Sequence, residues 1–153
     1  MGKLTVTQPG MQTQIQAAGR HGLAFYAIPP SGPLDPPAAS LANELLENYV
    51  ESPTIECHFV PPTLRFETDA VICLTGADMQ WTVDNQPVDR FRTLEVSHGS
   101  LLSGRSAQDG CRAYIGVHGY IETSETFGSA ACHALAGFGG NDGRVLALSL
   151  IHI

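Results

Sequence analysis

Asp35-Pro36-Pro37-Ala38-Ala39-Ser40-Leu41-Ala42-Asn43-Glu44-Leu45-Leu46 is the one stretch of this 153-residue chain with a clear helical signature. Ala38, Leu41, Ala42, Leu45 and Leu46 recur at the i, i+3, i+4, i+7, i+8 spacing that lays a single apolar stripe along a helix. The Asp35 carboxylate is placed to accept from the first free backbone N–H groups, and Pro36 at the first helical position gives up no bond that a helix would make. The helix is expected to stop near Asn48, ahead of Pro53.

Outward from this helix, everything else reads as short strands divided by Gly, Pro, Asn and Asp. Residues 3–7, 23–28, 54–59, 64–67, 71–75, 80–83, 93–96 and 113–118 are the candidates. Asp84-Asn85-Gln86 has the composition of a hairpin tip, and Asp69 opens another tight connection. The fold class is therefore mainly β with one short α-helix. A closed or nearly closed β-barrel is the expected arrangement, because closure leaves no long sheet edge exposed. No internal repeat or low-complexity stretch is visible.

Composition narrows the function. With 43% hydrophobic and 15% charged residues, the chain describes an ordinary globular domain that can bury a core without staples. Fifteen acidic against eight basic residues give a net charge of -7, which repels phosphate backbones and anionic headgroups, so neither nucleic acid nor membrane is an expected partner. The first residues contain no apolar leader and no long apolar run follows, so a cytoplasmic location is expected. Cys57, Cys73, Cys111 and Cys132 form no CxxC pair and read as buried free thiols. Six scattered histidines show neither HxH nor HExxH spacing, so no metal site is expected.

Three stretches carry candidate chemistry. Gly19-Arg20-His21-Gly22 is followed by Pro29-Pro30-Ser31-Gly32-Pro33-Leu34-Asp35, two glycine turns that direct Arg20, Ser31 and Asp35 toward a helix N-terminus suited to an anionic group. The plainer alternative is a turn at Ser31-Gly32, a cap at Asp35 and a surface partner at Arg20. Leu74-Thr75-Gly76-Ala77-Asp78-Met79 takes a buried strand out into a glycine, leaving Asp78 placed to accept from an amide or serve as a general base. A solvated turn carboxylate is the alternative there. The run Gly137 to Gly143 offers backbone N–H groups to an anion, but lacks the Gly-Lys-Ser/Thr ending of a P-loop and reads better as a connecting loop.

Taken in order, these segments resemble a bacterial carboxyltransferase-like family that includes the 5-oxoprolinase C-subunit, allophanate hydrolase subunit 2 and the carboxyltransferase subdomains A and B of urea carboxylase. The resemblance runs through Gln16, Gly19, Arg20 and Gly22, then Pro30, Ser31, Gly32, Asp35, Ala42 and Asn43. It continues through Ile55-Glu56, Pro62-Thr63-Leu64-Arg65-Phe66, Thr75-Gly76-Ala77-Asp78, Arg112-Ala113-Tyr114, Phe127-Gly128-Ser129 and Gly137-Phe138-Gly139-Gly140 to Gly143-Arg144. Each motif alone is weak, and the ordered set is specific. Departures fall at Ala17-Ala18, where Asp-Leu is usual, at His118 in place of Gly, and at Ala130 in place of Arg.

The resemblance implies a cyclophilin-like barrel over residues 1–147, one half of a two-barrel subunit, working with a sister subunit on a small amide. ATP-dependent opening of 5-oxoproline to glutamate is the first activity it implies. Biotin-dependent carboxyl transfer to urea or a related amide is the second, and non-catalytic antagonism of a histidine-kinase inhibitor the third. It implies Asp78 as the catalytic residue, with Arg20, Ser31, Gly32, Asp35, Glu56, Gly76 and Met79 lining a substrate cleft, ATP bound through the complex, and this half inactive alone. The last six residues, Leu148 to Ile153, resemble one reading frame of a transposase adapter and are read as an artefactual tail. Codons unrelated to that adapter, followed by a natural stop, would remove this reading.

Overall fold

The computed structural model describes residues 2–153, and eleven short strands dominate it. They are β1 (Lys3–Gln8), β2 (Gln14–Gln16), β3 (Thr54–His58), β4 (Thr63–Phe66), β5 (Ala70–Asp78), β6 (Thr82–Val83), β7 (Gln86–Pro87), β8 (Thr93–Val96), β9 (Leu101–Ser103), β10 (Asp109–Val117) and β11 (Ser149–His152). Helix α1 spans Pro36–Leu45, and a one-turn element, α2 (Gly140–Gly143), contains Asn141 and Asp142 at φ of 53° and 54°. Among the described residues, no helix is long and apolar enough to cross a membrane.

All strand pairs are antiparallel and fall into two sheets, one in the order β11-β1-β4-β9-β6-β7 and the other β2-β3-β10-β5-β8. The mainly β class is as the sequence indicates. The ring of hydrogen bonds that a closed barrel needs is not completed among the described strands, because each sheet keeps two edges.

Alternation along the strands explains how the sheets are covered. In β5, Ile72 and Leu74 point into the main core, while Cys73 and Thr75 face α1; in β10, Ala113, Ile115 and Val117 point inward, while Tyr114 and Gly116 meet the helix. The inner residues join Leu4, Val6, Leu64, Phe66 and Leu102 of the other sheet in one cluster. The central strands of the second sheet are thus apolar on both faces, which is why 71–75 and 113–118 read as near-continuous apolar runs.

The capping of α1 is as read: Asp35 Oδ1 accepts from the Ala38 N–H at 3.3 Å, and Pro36 occupies the first turn. Its buried stripe is rotated from the expected one, consisting of Ala38, Ala39, Ala42, Asn43 and Leu46, with Leu41 exposed. Asn43 is drawn inward because its amide donates to Val50 O at 3.2 Å and Ser52 O at 2.9 Å, holding the turn that follows the helix.

The expected strand at 23–28 does not form. Ala24–Tyr26 is instead a 3₁₀ turn closed by Ala27 at φ 57°, and Phe25 and Tyr26 stay exposed because no neighbouring strand is there to pair with them. Strands β2 and β9, of three residues each, are too short to show periodicity. Residues 149–152, inside the presumed tail, pair with β1 in the register Leu4↔Ile151, and Ile151 is buried in the core.

Gly116 is where the helix comes closest to the sheet: a Cβ there would lie 2.8 Å from Leu46 Cδ1 and 3.2 Å from Ala42 Cβ. Gly116→Val is therefore expected to lift α1 and destabilise the fold by about 1–3 kcal/mol, measurable as a lower urea midpoint.

Candidate active site

Past the core, β5 runs out through Gly76, Ala77 and Asp78 opposite a slip in register of β10 between Asp109 and Ala113. Gly76 has φ 78°, and a Cβ on it would lie 2.5 Å from Arg112 O, so glycine alone fits this close approach. The first turn of α1 sits beside this splayed end. Together they form a groove of about 590 Å³ whose wall includes Leu34, Asp35, Gly76, Arg90, Phe91 and Arg112.

Behind the groove a buried polar relay fixes the loop entering α1. Glu56 Oε2 accepts from Leu34 N at 2.8 Å and from the Tyr114 hydroxyl at 2.8 Å, and that hydroxyl in turn accepts from Asp35 N at 2.8 Å. Arg112 Nε lies 3.5 Å from Glu56 Oε1, within ion-pair reach but outside hydrogen-bond geometry. Burial pushes the Tyr114 phenol far up, so the hydroxyl keeps its proton and remains the donor to Glu56.

A second cavity, of about 910 Å³, adjoins the groove and shares Arg90 and Phe91 with it. Asp78 lies on its wall, 43% exposed, with Oδ1 accepting from Gln80 N at 2.8 Å. Arg90 links the two cavities: Nη1 donates to the Gly76 carbonyl, Nη2 lies 3.9 Å from Asp78 Oδ2, and the guanidinium stands 5.0 Å from the Phe91 ring centroid.

Of the residues singled out by sequence, Asp35, Gly76 and Asp78 come together along this paired groove, with Glu56 supporting it from behind. Ser31 and Gly32 do not join them. They line a separate cavity of about 310 Å³ on the other flank of α1, with Pro36, Ala39 and Asn43, so the single concave wall expected for all of these residues is divided by the helix.

Arg20 is a second correction. It is 3% exposed, donating from Nε to Thr126 O at 3.2 Å and from Nη2 to Ser129 O and Ala131 O, with its guanidinium 4.9 Å from the Phe138 centroid. Its own N–H donates to Pro30 O at 2.9 Å, so it clamps the 126–131 segment to the Ser31-Gly32 bend rather than facing a ligand. Met79 is a third correction, being fully buried in the core: Ile72 and Leu74 point inward, and the left-handed backbone at Gly76 beside the slipped register shifts the alternation, so that Ala77 and Met79 take the inward side beyond it.

The glycine run is a loop, in keeping with its plainer reading. The N–H groups of Asn141 and Asp142 donate to Thr123 Oγ1 at 2.9 Å and Ser124 Oγ at 2.8 Å, which leaves them no free donor for an anion. Ala17, Ala18 and Ala130, where the chain departs from the resembled pattern, line one small cavity together with Ser129. No group of three metal-capable side chains occurs among the described residues. Sequence reading missed Arg90, Phe91, Arg112 and Tyr114 as site residues. The available signal was charge: four of the eight basic residues, Arg90, Arg92, Arg105 and Arg112, fall in one short segment.

Residues 26–150 match the carboxyltransferase domain, subdomain A and B. This chain belongs to that family. It is 38% identical to urea amidolyase of Saccharomyces cerevisiae over 95% of its own length and 8% of that protein's. It is 35% identical to the 5-oxoprolinase C-subunit of Escherichia coli over 94% of its length and 46% of the relative's. The crystal structure of Kluyveromyces lactis urea carboxylase superposes with a TM-score of 0.93 at 34% identity, covering 99% of this chain and 14% of that one. The chain thus spans less than half the length of each of these relatives.

The thiols are free, with Cys57, Cys73 and Cys132 buried and Cys111 half-buried. Desolvation raises the first three, Cys73 from an ordinary 9.0 up to about 11. A thiol-reactive dye at pH 8 should therefore titrate one thiol in the native protein and four in denaturant. Because the folded-state value is the higher, the stability that Cys73 contributes is complete below pH 9.0 and falls away as pH rises toward about 11, which an alkaline series of urea melts would show.

Proposed function

We propose that this chain supplies the amide-binding wall of an ATP-dependent 5-oxoprolinase, opening 5-oxoproline to glutamate with a sister subunit. The observation that carries the reading is Arg90, which ties the Gly76 carbonyl to the Asp78 carboxylate where the two cavities meet. The 35% identity to the E. coli 5-oxoprolinase C-subunit, by name one part of an assembly, supports it.

The reaction adds water across the lactam C–N bond, and the ring nitrogen leaves as the amino group of glutamate. Asp78, held by Gln80 N and oriented by Arg90, accepts from the lactam N–H, while Arg90 and Arg112 offer charge to the substrate carboxylate. Arg20 lies outside this groove, 3% exposed and with Nε and Nη2 donating to backbone carbonyls. The glycine run does not fit a nucleotide, since its Asn141 and Asp142 N–H groups are already bonded. In this reading ATP sits on the sister subunit.

A second reading, carboxyl transfer from carboxybiotin to urea, is favoured by the 38% identity to yeast urea amidolyase and the 0.93 TM-score to K. lactis urea carboxylase. The full-length protein assembled with its sister subunit separates the two. ATP hydrolysis stimulated by 5-oxoproline, and lowered about 100-fold in Asp78→Asn with the complex intact, is the expected outcome. No stimulation by 5-oxoproline, with urea-dependent consumption of carboxybiotin instead, would transfer the assignment to the second reading.

A further inference from the structure

We infer that the cavity walled by the β6–β7 hairpin and the 88–92 connection is an oxyanion subsite, taking the carboxylate or phosphate group of a small ligand. The chain carries a net charge of -7, yet Arg90, Arg92 and Arg105, three of its eight basic residues, line this one cavity against two carboxylates, Asp78 and Asp89. Local charge is opposite in sign to that of the molecule, and a concave wall concentrates it.

Two of the three guanidiniums, those of Arg92 and Arg105, are under-committed. Arg105 is exposed, with no ion-pair partner among the described residues; only its backbone N–H is used, donating to Met79 O at 2.7 Å, which fixes where the side chain leaves the wall. Arg92 meets Asp89 at 3.4 Å with both side chains more than half exposed, a pair weak enough to be displaced. Arg90 is the anchored one, its Nη1 donating to the Gly76 carbonyl and its guanidinium beside the Phe91 ring, 3.9 Å from Asp78. Planar forks of this kind match the paired oxygens of a carboxylate or phosphate.

Trp81 supplies an independent observation. It belongs to the cavity lining, is 2% exposed, and its indole Nε1–H is buried without a partner. Buried donors are rarely left unbonded; this one is sealed within the wall of the cavity that the three arginines line, so a ligand acceptor or a water reaches it only if the wall shifts on binding. At about 910 Å³ the cavity has room for the uncharged part of such a ligand against Val88 and Phe91.

Trp81 is the sole tryptophan, so its indole N–H gives one resonance that reads this wall directly. The intact ¹⁵N-labelled chain is titrated with sodium phosphate and, separately, sodium acetate, with ionic strength held constant by sodium chloride. A saturable displacement of the indole resonance is expected, with apparent affinity about tenfold weaker in Arg105→Gln or Arg92→Gln. Tighter phosphate binding assigns a phosphorylated ligand, and tighter acetate binding a carboxylate. Linear, non-saturating drift with both ions, or binding unchanged in both variants, would overturn the inference. The readout involves neither amide nor ATP, so this subsite stands or falls separately from the 5-oxoprolinase reading.

Discussion

Everything the site does depends on one buried carboxylate, Glu56, and the hydroxyl of Tyr114 that it holds. Between them they take up two backbone N–H groups, Leu34 and Asp35, that enter α1 ahead of its first turn. A carboxylate in that position must be satisfied by donors, since stranding it would cost several kcal/mol. The loop is thereby fixed against β3 and β10, and the helix N-terminus against the splayed end of β5. Without this relay the groove would have a floor but no far wall.

Two-sided burial of the second sheet does the rest. Because β5 and β10 are apolar toward the core and present Cys73, Thr75 and Gly116 to α1, the helix lies close over these small residues, and Thr75 Oγ1 donates to Ala38 O at 2.7 Å. On the side of the sheet, close packing along the helix gives way at its N-terminal end, where Gly76 and the slipped register of β10 open the strands. The cavity position is a consequence of where packing stops being possible.

Arginine placement then divides structural from chemical roles. Arg20 donates to three carbonyl oxygens and lies over an aromatic face, contacts that offset only part of a desolvation that lowers its pKa, and it is hidden from solvent. Arg90, Arg92, Arg105 and Arg112 border open space, where charge is available to a ligand. The same residue type serves opposite ends, and burial alone separates them. Membership of the carboxyltransferase family is compatible with both uses, since the Arg20 clamp sets the Ser31-Gly32 bend without entering the groove.

What could be read from the chain was what is local. Asp35 caps α1 because a carboxylate beside Pro36 acts on N–H groups three residues away, and the strands at 54–59, 64–67, 71–75, 93–96 and 113–118 announce themselves through side-chain alternation or unbroken apolar runs. Order of motifs along the sequence was enough for the family. Residues 23–28 failed as a strand because pairing needs a neighbour, a property of the whole sheet rather than of Phe25 or Tyr26. Whether Arg20 meets solvent or carbonyls, whether Ser31 and Asp78 share a cavity, and which face Met79 takes were settled only when distant segments packed together, because each depends on what stands opposite in space.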